Sequence, residues 1–289
     1  MTFDEFLNQA WVDHGSQAEQ VAGQMSDAIS LIEKNDQIPS MANLITHVLG
    51  EHLGFWSRGI QLLQQLKGIP TYDSVSESSK VIVRSIASLE LAGGQRQSVD
   101  DLSLSDQIRV LAVAASALSA QKEPELAQKM IREALDKGQL GIEKSDPANR
   151  ALAVTGNNLA CELEEKTTRT KGETDLMILA AQMGRKYWEI AGSWLEVERA
   201  EYRLSQTYLK ANDLVRALEH ARKCLEVAQE NKAPPLELFF GYEVLALVEK
   251  ARNNSFGFSK AVEQVKVNFE KLNCEDKSWC ESSLTKLTR

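Results

Sequence analysis

Proline and glycine are scarce in this chain, which has only six prolines and 16 glycines among its 289 residues. A β-sandwich, a collagen-like chain or a disordered chain would contain more of both, so the composition argues against these classes. Cysteine is also rare: there are four, and no two of them form a C-x-x-C pair. A disulfide framework needs more cysteines, and the sequence therefore indicates a protein of the reducing cytoplasm.

The chain has no excess of positive charge, because 41 acidic residues outnumber 33 lysines and arginines and give a net charge of −8. Proteins that bind nucleic acid or anionic lipid need a strong positive field, so we expect neither partner. Long apolar runs are missing as well, since the longest, residues 110–120, is about half a membrane span. The acidic, amphipathic N-terminal segment does not resemble a signal peptide. These features predict a soluble, cytoplasmic protein.

Helical periodicity is the main pattern that the sequence does contain. Apolar residues recur at helical spacing, as at Leu214, Leu218 and Leu225, and the alternating runs typical of strands are almost absent. All six prolines lie between the helical patterns rather than inside them, where each would cost about 3 kcal/mol. We therefore expect an all-α protein of about a dozen helices, with looser segments at residues 92–105 and 164–173.

The sequence also repeats itself. Residues 184–191 (GRKYWEIA) recur 37 residues later as residues 221–228 (ARKCLEVA). The clearest repeat has a small residue, Ser205, in the middle of its first helix, an Asn-Asp turn at Asn212, and Ala217 in its second helix. Small side chains at such positions let the two helices of a hairpin cross closely. This pattern resembles the tetratricopeptide repeat (TPR) family.

Other copies keep parts of the pattern. The mid-helix small residue is Ala115 in one copy and Gly156 in the next, whereas His47 replaces it near the N-terminus. The copies cover residues 40–72, 108–141, 149–192 and, as a degenerate closing hairpin, 236–272. The resemblance implies a right-handed α-solenoid of TPR-like helical hairpins with capping helices at both ends.

The repeats also suggest how the chain is divided. We expect N-terminal capping helices in residues 1–37, degenerate TPR-like hairpins in 38–92, a linker in 93–105, three TPR-like repeats in 106–235, and a degenerate hairpin with a C-terminal cap in 236–289.

An arginine recurs at one position of the repeats. Arg109, Arg150 and Arg199 each lie six residues before a mid-helix small residue, and a polar residue follows each small one. Seven residues are about two helical turns, so these positions share one helix face. The resemblance implies that this face lines a concave groove, where forked guanidinium donors would suit a carboxylate. The predicted groove residues are Arg109, Ser116, Arg150, Asn157, Arg199, Arg203, Gln206 and Lys210.

These observations predict a non-catalytic protein-protein interaction scaffold that binds a partner peptide or protein segment, with an acidic stretch or a free C-terminus as candidate ligands. The match to the carboxylate-clamp members of the family is incomplete, because a lysine and asparagine pair in a preceding repeat is missing. One alternative is a regulatory sensor that binds a small peptide or metabolite. No cofactor is expected, and the sequence leaves a homodimer open.

A histidine cluster provides the second alternative, a metal-dependent enzyme. His47, Glu51 and His52 lie in the segment HVLGEH, and His14 is a candidate third histidine. Residues five apart point roughly 140° apart on a regular helix, so His47 and His52 should not share one ion. The segment also lacks the H-E-x-x-H spacing of zinc proteases. We therefore expect no metal site and no catalytic residue.

Overall fold

The computed structural model describes residues 1–288, and this part of the chain contains fifteen α-helices and no β-strand. The all-α class predicted from the sequence is confirmed. Contacts within the chain divide it into two compact units, residues 1–143 and a second unit from residue 144 onward.

The first unit contains eight helices, which are α1 (Phe3–Asp13), α2 (Ala18–Ile29), α3 (Ile38–Ile45), α4 (Trp56–Gln65), α5 (Glu77–Ala92), α6 (Gln97–Asp100), α7 (Leu104–Ala120) and α8 (Pro124–Gly138). Thr46–His52 continues α3 as a π-helix, and short 3₁₀ segments cover Asn35–Gln37 and Leu66–Gly68. Large apolar side chains such as Met25, Ile38 and Leu63 are fully buried in its core.

The second unit contains seven helices, which are α9 (Pro147–Glu165), α10 (Lys171–Ala191), α11 (Trp194–Lys210), α12 (Leu214–Glu230), α13 (Pro235–Ala251), α14 (Ser255–Glu270) and α15 (Cys274–Thr288). Consecutive helices pack as pairs, α9 with α10, α11 with α12 and α13 with α14, and α7 pairs with α8 in the same way in the first unit. The expected helical hairpins are therefore present.

Short sequence signals set the ends of these helices. Asp146 caps α9 by accepting a hydrogen bond from the Ala148 amide at 2.8 Å, and Pro147 occupies the first helical position, as the sequence predicts. Asn212, in the turn between α11 and α12, has φ of 59°. Asparagine tolerates this left-handed conformation better than most residues, so it supports a tight turn.

Two segments differ from the sequence-based expectation. Residues 164–173 are loose only in part, because α9 extends to Glu165, α10 begins at Lys171, and residues 166–170 form a non-helical connection between them. The dozen extra residues of this repeat therefore lengthen its two helices and also form the short connection between them. Residues 92–105 also contain a short helix, α6. None of the helices in residues 1–288 is long and apolar enough to span a membrane.

Candidate functional site

The second unit contains a half-open pocket with a volume of about 370 Å³. Three helices that each begin a hairpin, α9, α11 and α13, provide most of its walls, and α15 closes one side. Its lining residues are Asn157, Glu198, Arg199, Tyr202, Arg203, Leu236, Glu237, Phe240 and Trp279. Apolar and charged side chains thus meet in one concave surface.

Aromatic side chains form the apolar wall of the pocket. The rings of Phe240 and Trp279 are 5.0 Å apart between centroids, and Tyr202 meets Phe240 edge-on at 6.1 Å. Trp279 is 65% exposed although it is large and apolar. Because this indole is already exposed beside a concave surface, it can pack against an apolar ligand without moving out of the hydrophobic core.

The guanidinium of Arg199 lies at the edge of this wall and is paired with Glu237. Its Nη2 donates to Glu237 Oε1 at 2.6 Å and its Nε donates to Oε2 at 3.1 Å, which is a bidentate geometry. The side chain of Glu237 is only 7% exposed, whereas that of Arg199 is 58% exposed. The pair therefore fixes the position of Arg199 and leaves its outer edge facing solvent.

A second carboxyl group, Glu198, lies next to this pair and is almost completely buried. The thiol of Cys224 donates a hydrogen bond to Glu198 Oε1 at 2.8 Å. Burial raises the pKa of Glu198 to about 7, and the nearby carboxylate of Glu237 acts in the same direction. Glu198 therefore carries a proton much of the time near neutral pH.

Arg203 connects the floor of the pocket to the preceding hairpin. Its Nη1 donates to Glu164 Oε2 on α9, and Thr207 Oγ1 donates to the other oxygen of the same carboxylate at 2.5 Å. Burial raises the pKa of Glu164, against the effect of Arg203. All three side chains of this network are buried or half-buried, so the network holds α9 and α11 together as well as lining the pocket.

Tyr202 is held from two sides. Its hydroxyl donates to Glu243 Oε2 at 3.1 Å and accepts from Gln206 Nε2 at 3.0 Å. Burial raises the pKa of Tyr202, so the hydroxyl stays protonated and remains a donor at neutral pH. The ring is thereby fixed in the pocket wall.

Only some of the eight predicted groove residues lie at the pocket. Asn157, Arg199 and Arg203 line the pocket, and Gln206 supports it through Tyr202. Arg150 and Lys210 are exposed elsewhere in the second unit, where the Arg150 guanidinium lies 5.3 Å from the Trp188 ring centroid. The remaining two, Arg109 and Ser116, lie on α7 of the first unit.

Arg109 has an acidic neighbour on its own helix, because its Nη1 lies 3.6 Å from Asp106 Oδ1. The three arginines therefore have different surroundings. Arg150 lies over an aromatic ring, Arg199 pairs with a buried carboxylate of another helix, and Arg109 lies beside a partly buried carboxylate of its own helix.

Sequence reasoning did not single out Glu198, Glu237 or Trp279 as site residues. A signal for one of them was present in α13, where Glu237, Glu243 and Glu249 interrupt a largely apolar helix and are all buried. Buried carboxylates require partners, so acidic residues inside an apolar helical pattern indicate a polar network.

The first unit brings the four residues of the histidine cluster together. One ring nitrogen from each of His14, His47 and His52 lies within 4.8 Å of the others, and Glu51 Oε2 is 3.0 Å from His47 Nδ1. The expectation that His47 and His52 point apart was wrong, because Thr46–His52 is a π-helix. Partial desolvation of the ring, together with the charges of the neighbouring His47 and His14, lowers the pKa of His52.

No protein-family model matches the chain, and no curated protein matches it either. Among solved structures, the chain is similar to the crystal structure of BtubC (BKLC) from P. vanneervenii, with 15% sequence identity and a TM-score of 0.49. The similarity covers 93% of this chain and 91% of that chain. An identity of 15% is too low to assign this chain to a family.

Proposed function

We propose that this protein binds a short segment of a partner protein in the pocket of the second unit, with a bulky apolar side chain of the partner as the anchor. The observation that carries the proposal is the position of Leu236, Phe240 and Trp279 beside the fixed, exposed guanidinium of Arg199. Aromatic residues and arginine are the side chains that most often dominate the energy of protein interfaces.

The apolar part of the pocket would supply most of the affinity. Burying a large apolar side chain completely contributes roughly 1.5–3 kcal/mol, and an aromatic ring would also stack against Phe240 and Trp279. The volume of about 370 Å³ is sufficient for one such side chain and part of its backbone.

The polar part would orient the segment. Nε and one N–H of Nη2 of Arg199 are engaged by Glu237, so the N–H groups of Nη1 and the second N–H of Nη2 can donate to a ligand oxygen. Asn157 offers an amide on the same surface. Because Glu237 partly offsets the charge of Arg199 and Glu164 that of Arg203, the site suits one carboxylate or carbonyl oxygen better than a run of acidic residues.

A random peptide library displayed with free C-termini tests the proposal directly. We expect the parent protein to enrich peptides with a bulky apolar residue, and Trp279→Ala to lose most of that enrichment. Synthetic peptides selected in this way, made both as C-terminal acids and as amides, then distinguish a terminal carboxylate from a backbone carbonyl as the acceptor. Enrichment that is absent, or that is the same for parent and variant, would contradict the proposal.

A sensor of small molecules is the second candidate, favoured by the pocket volume, which lies within the range of small-molecule sites. Native mass spectrometry of the purified protein distinguishes the two functions. A retained compound that is lost in Trp279→Ala would favour the sensor, and its displacement by the selected peptides would show that both use one pocket.

A further inference from the structure

His14, His47 and His52 lie far from the pocket in sequence and belong entirely to the first unit. His14 follows the end of α1, and the other two lie in the π-helix that continues α3. The ring centroids are 5.0 Å apart for His14 and His47, 5.1 Å for His14 and His52, and 4.7 Å for His47 and His52. Three imidazoles thus converge on one point.

The π-helix explains why residues five apart in sequence can converge. Its hydrogen bonds connect residues five apart, as from the Leu53 amide to the Val48 carbonyl at 3.1 Å. Side chains at that separation therefore lie one above the other, and His52 Nε2 is 3.1 Å from His47 Nε2. A regular α-helix would separate them by most of a half turn. π-helical turns occur frequently at functional sites.

The other nitrogen of two of these rings is already engaged. His14 Nδ1 lies 2.7 Å from the Trp11 carbonyl oxygen, and His47 Nδ1 lies 3.0 Å from Glu51 Oε2. Both oxygens can only accept, so both Nδ1 atoms donate, and the neutral rings carry their lone pairs on Nε2. Histidines that ligate a metal almost always donate their other N–H to a carbonyl or carboxylate in this way.

The distances fit a small metal ion. Zinc binds imidazole nitrogen at about 2.0–2.1 Å, so two nitrogens of a tetrahedral site lie about 3.3 Å apart. The Nε2 atoms of His47 and His52 are already about that far apart. The ligand nitrogen of His14 lies within 4.8 Å of the other two, so it would have to move by about 1.5 Å or less. His52 is exposed, which gives an ion access from solvent.

We propose that the first unit binds one divalent transition-metal ion of the zinc type through Nε2 of His14, His47 and His52. Glu51 and the Trp11 carbonyl hold two of the ligand rings in position. Three imidazoles leave a fourth coordination position for water or a small ligand, and imidazole ligands select zinc, cobalt, nickel or copper over calcium and magnesium. The site is independent of the pocket proposed for peptide binding.

Metal titration of the untagged protein tests this proposal. The protein is first treated with a chelator and dialysed. Binding of Co²⁺ is then measured by visible absorption and binding of Zn²⁺ by calorimetry. We expect one ion per chain and the absorption bands of four-coordinate Co²⁺. His52→Ala should bind at least 100-fold more weakly, and Glu51→Gln about 10- to 100-fold more weakly, because Glu51 acts through His47. The matched control is His220→Ala on α12, whose ring is held by Glu201 at 2.6 Å and which should bind as the parent does.

Folding of each variant is checked without metal by circular dichroism. His14→Gln provides a second ligand variant should His52→Ala fail to fold, and it should also weaken binding at least 100-fold. Metal should raise the melting temperature of the parent but of neither ligand variant. The proposal is overturned if the parent binds no ion, if a folded ligand variant keeps the parent affinity, or if bound Co²⁺ shows thiolate charge-transfer bands, which would indicate the cysteines instead.

Discussion

Gly156 on α9 and Gly184 on α10 bring the backbones of their two helices into direct contact. A Cβ atom added to Gly156 would lie 2.5 Å from the Gly184 amide nitrogen and 2.5 Å from the Ala180 carbonyl oxygen. These are the small residues that the repeat pattern indicates for this hairpin. The contact fixes how closely α9 and α10 cross, and Asn157, which follows Gly156, lines the pocket.

Gly156→Ala should therefore destabilise the protein, although alanine favours a helix. The added methyl group meets backbone rather than a flexible side chain, so the helices must separate, and we expect a loss of about 1–3 kcal/mol. Urea unfolding measures the change. The matched control is Gly23→Ala in α2, where nothing lies within 4 Å of the added Cβ, and this variant should be stabilised by about 0.5–1 kcal/mol. Equal effects at both positions would contradict the packing described for α9 and α10.

Local patterns were sufficient to predict the hairpins of the second unit. Gly156, Ser205 and Ala217 could be placed at helix crossings because a repeat of fixed length constrains them, and all three are buried. The π-helix could not be predicted in this way, because it depends on how the continuation of α3 packs within the first unit. A Cβ added to Gly50 in that segment would lie 2.8 Å from Leu89 Cδ2 of α5, which the sequence does not reveal.

Arg203 and Arg150 should contribute very differently to stability. Removal of Arg203 leaves the buried carboxylate of Glu164 without its cation, so Arg203→Ala should cost about 3 kcal/mol. Arg150 is exposed and its guanidinium lies over the Trp188 ring, so Arg150→Ala should cost less than about 1 kcal/mol. Thermal and urea unfolding of both variants measure the difference. Equal losses would mean that the Arg203–Glu164 pair does not stabilise the second unit.

The protonation of Glu198 should make stability depend on pH. The folded state holds a proton at Glu198 up to about pH 7, whereas the unfolded carboxyl group releases it near pH 4.5. Between these values the folded state binds more protons, so its free energy of unfolding falls as the pH rises, by up to about 1.4 kcal/mol per pH unit, and levels off above about pH 7.

Glu198→Gln should remove this contribution. Relative to this variant, the parent should therefore lose unfolding free energy as the pH rises from about 5 to about 8. Glu226→Gln, at an exposed position on α12, is the matched control and should follow the parent at every pH. A difference between parent and Glu198→Gln that stays constant with pH would show that Glu198 is ionised throughout this range.

The sequence predicted the arginines of the pocket but not the carboxylates that pair with them. Arg199 pairs with Glu237 and Arg203 with Glu164, at separations of 38 and 39 residues, which are close to one repeat length. The arginines could be found by counting within a repeat. Their partners depend on how neighbouring hairpins pack, and Trp279 comes from α15, outside the repeat pattern altogether.

The affinity of a selected peptide for the parent, Trp279→Ala and Phe256→Ala tests the account of the pocket most directly. Phe256 is the matched control, because it is a large aromatic residue that is 71% exposed but does not line the pocket. We expect Trp279→Ala to bind at least tenfold more weakly, which corresponds to about 1.4 kcal/mol, while Phe256→Ala binds as the parent does. Unchanged affinity in Trp279→Ala, or an equal loss in both variants, would show that the peptide does not bind in this pocket.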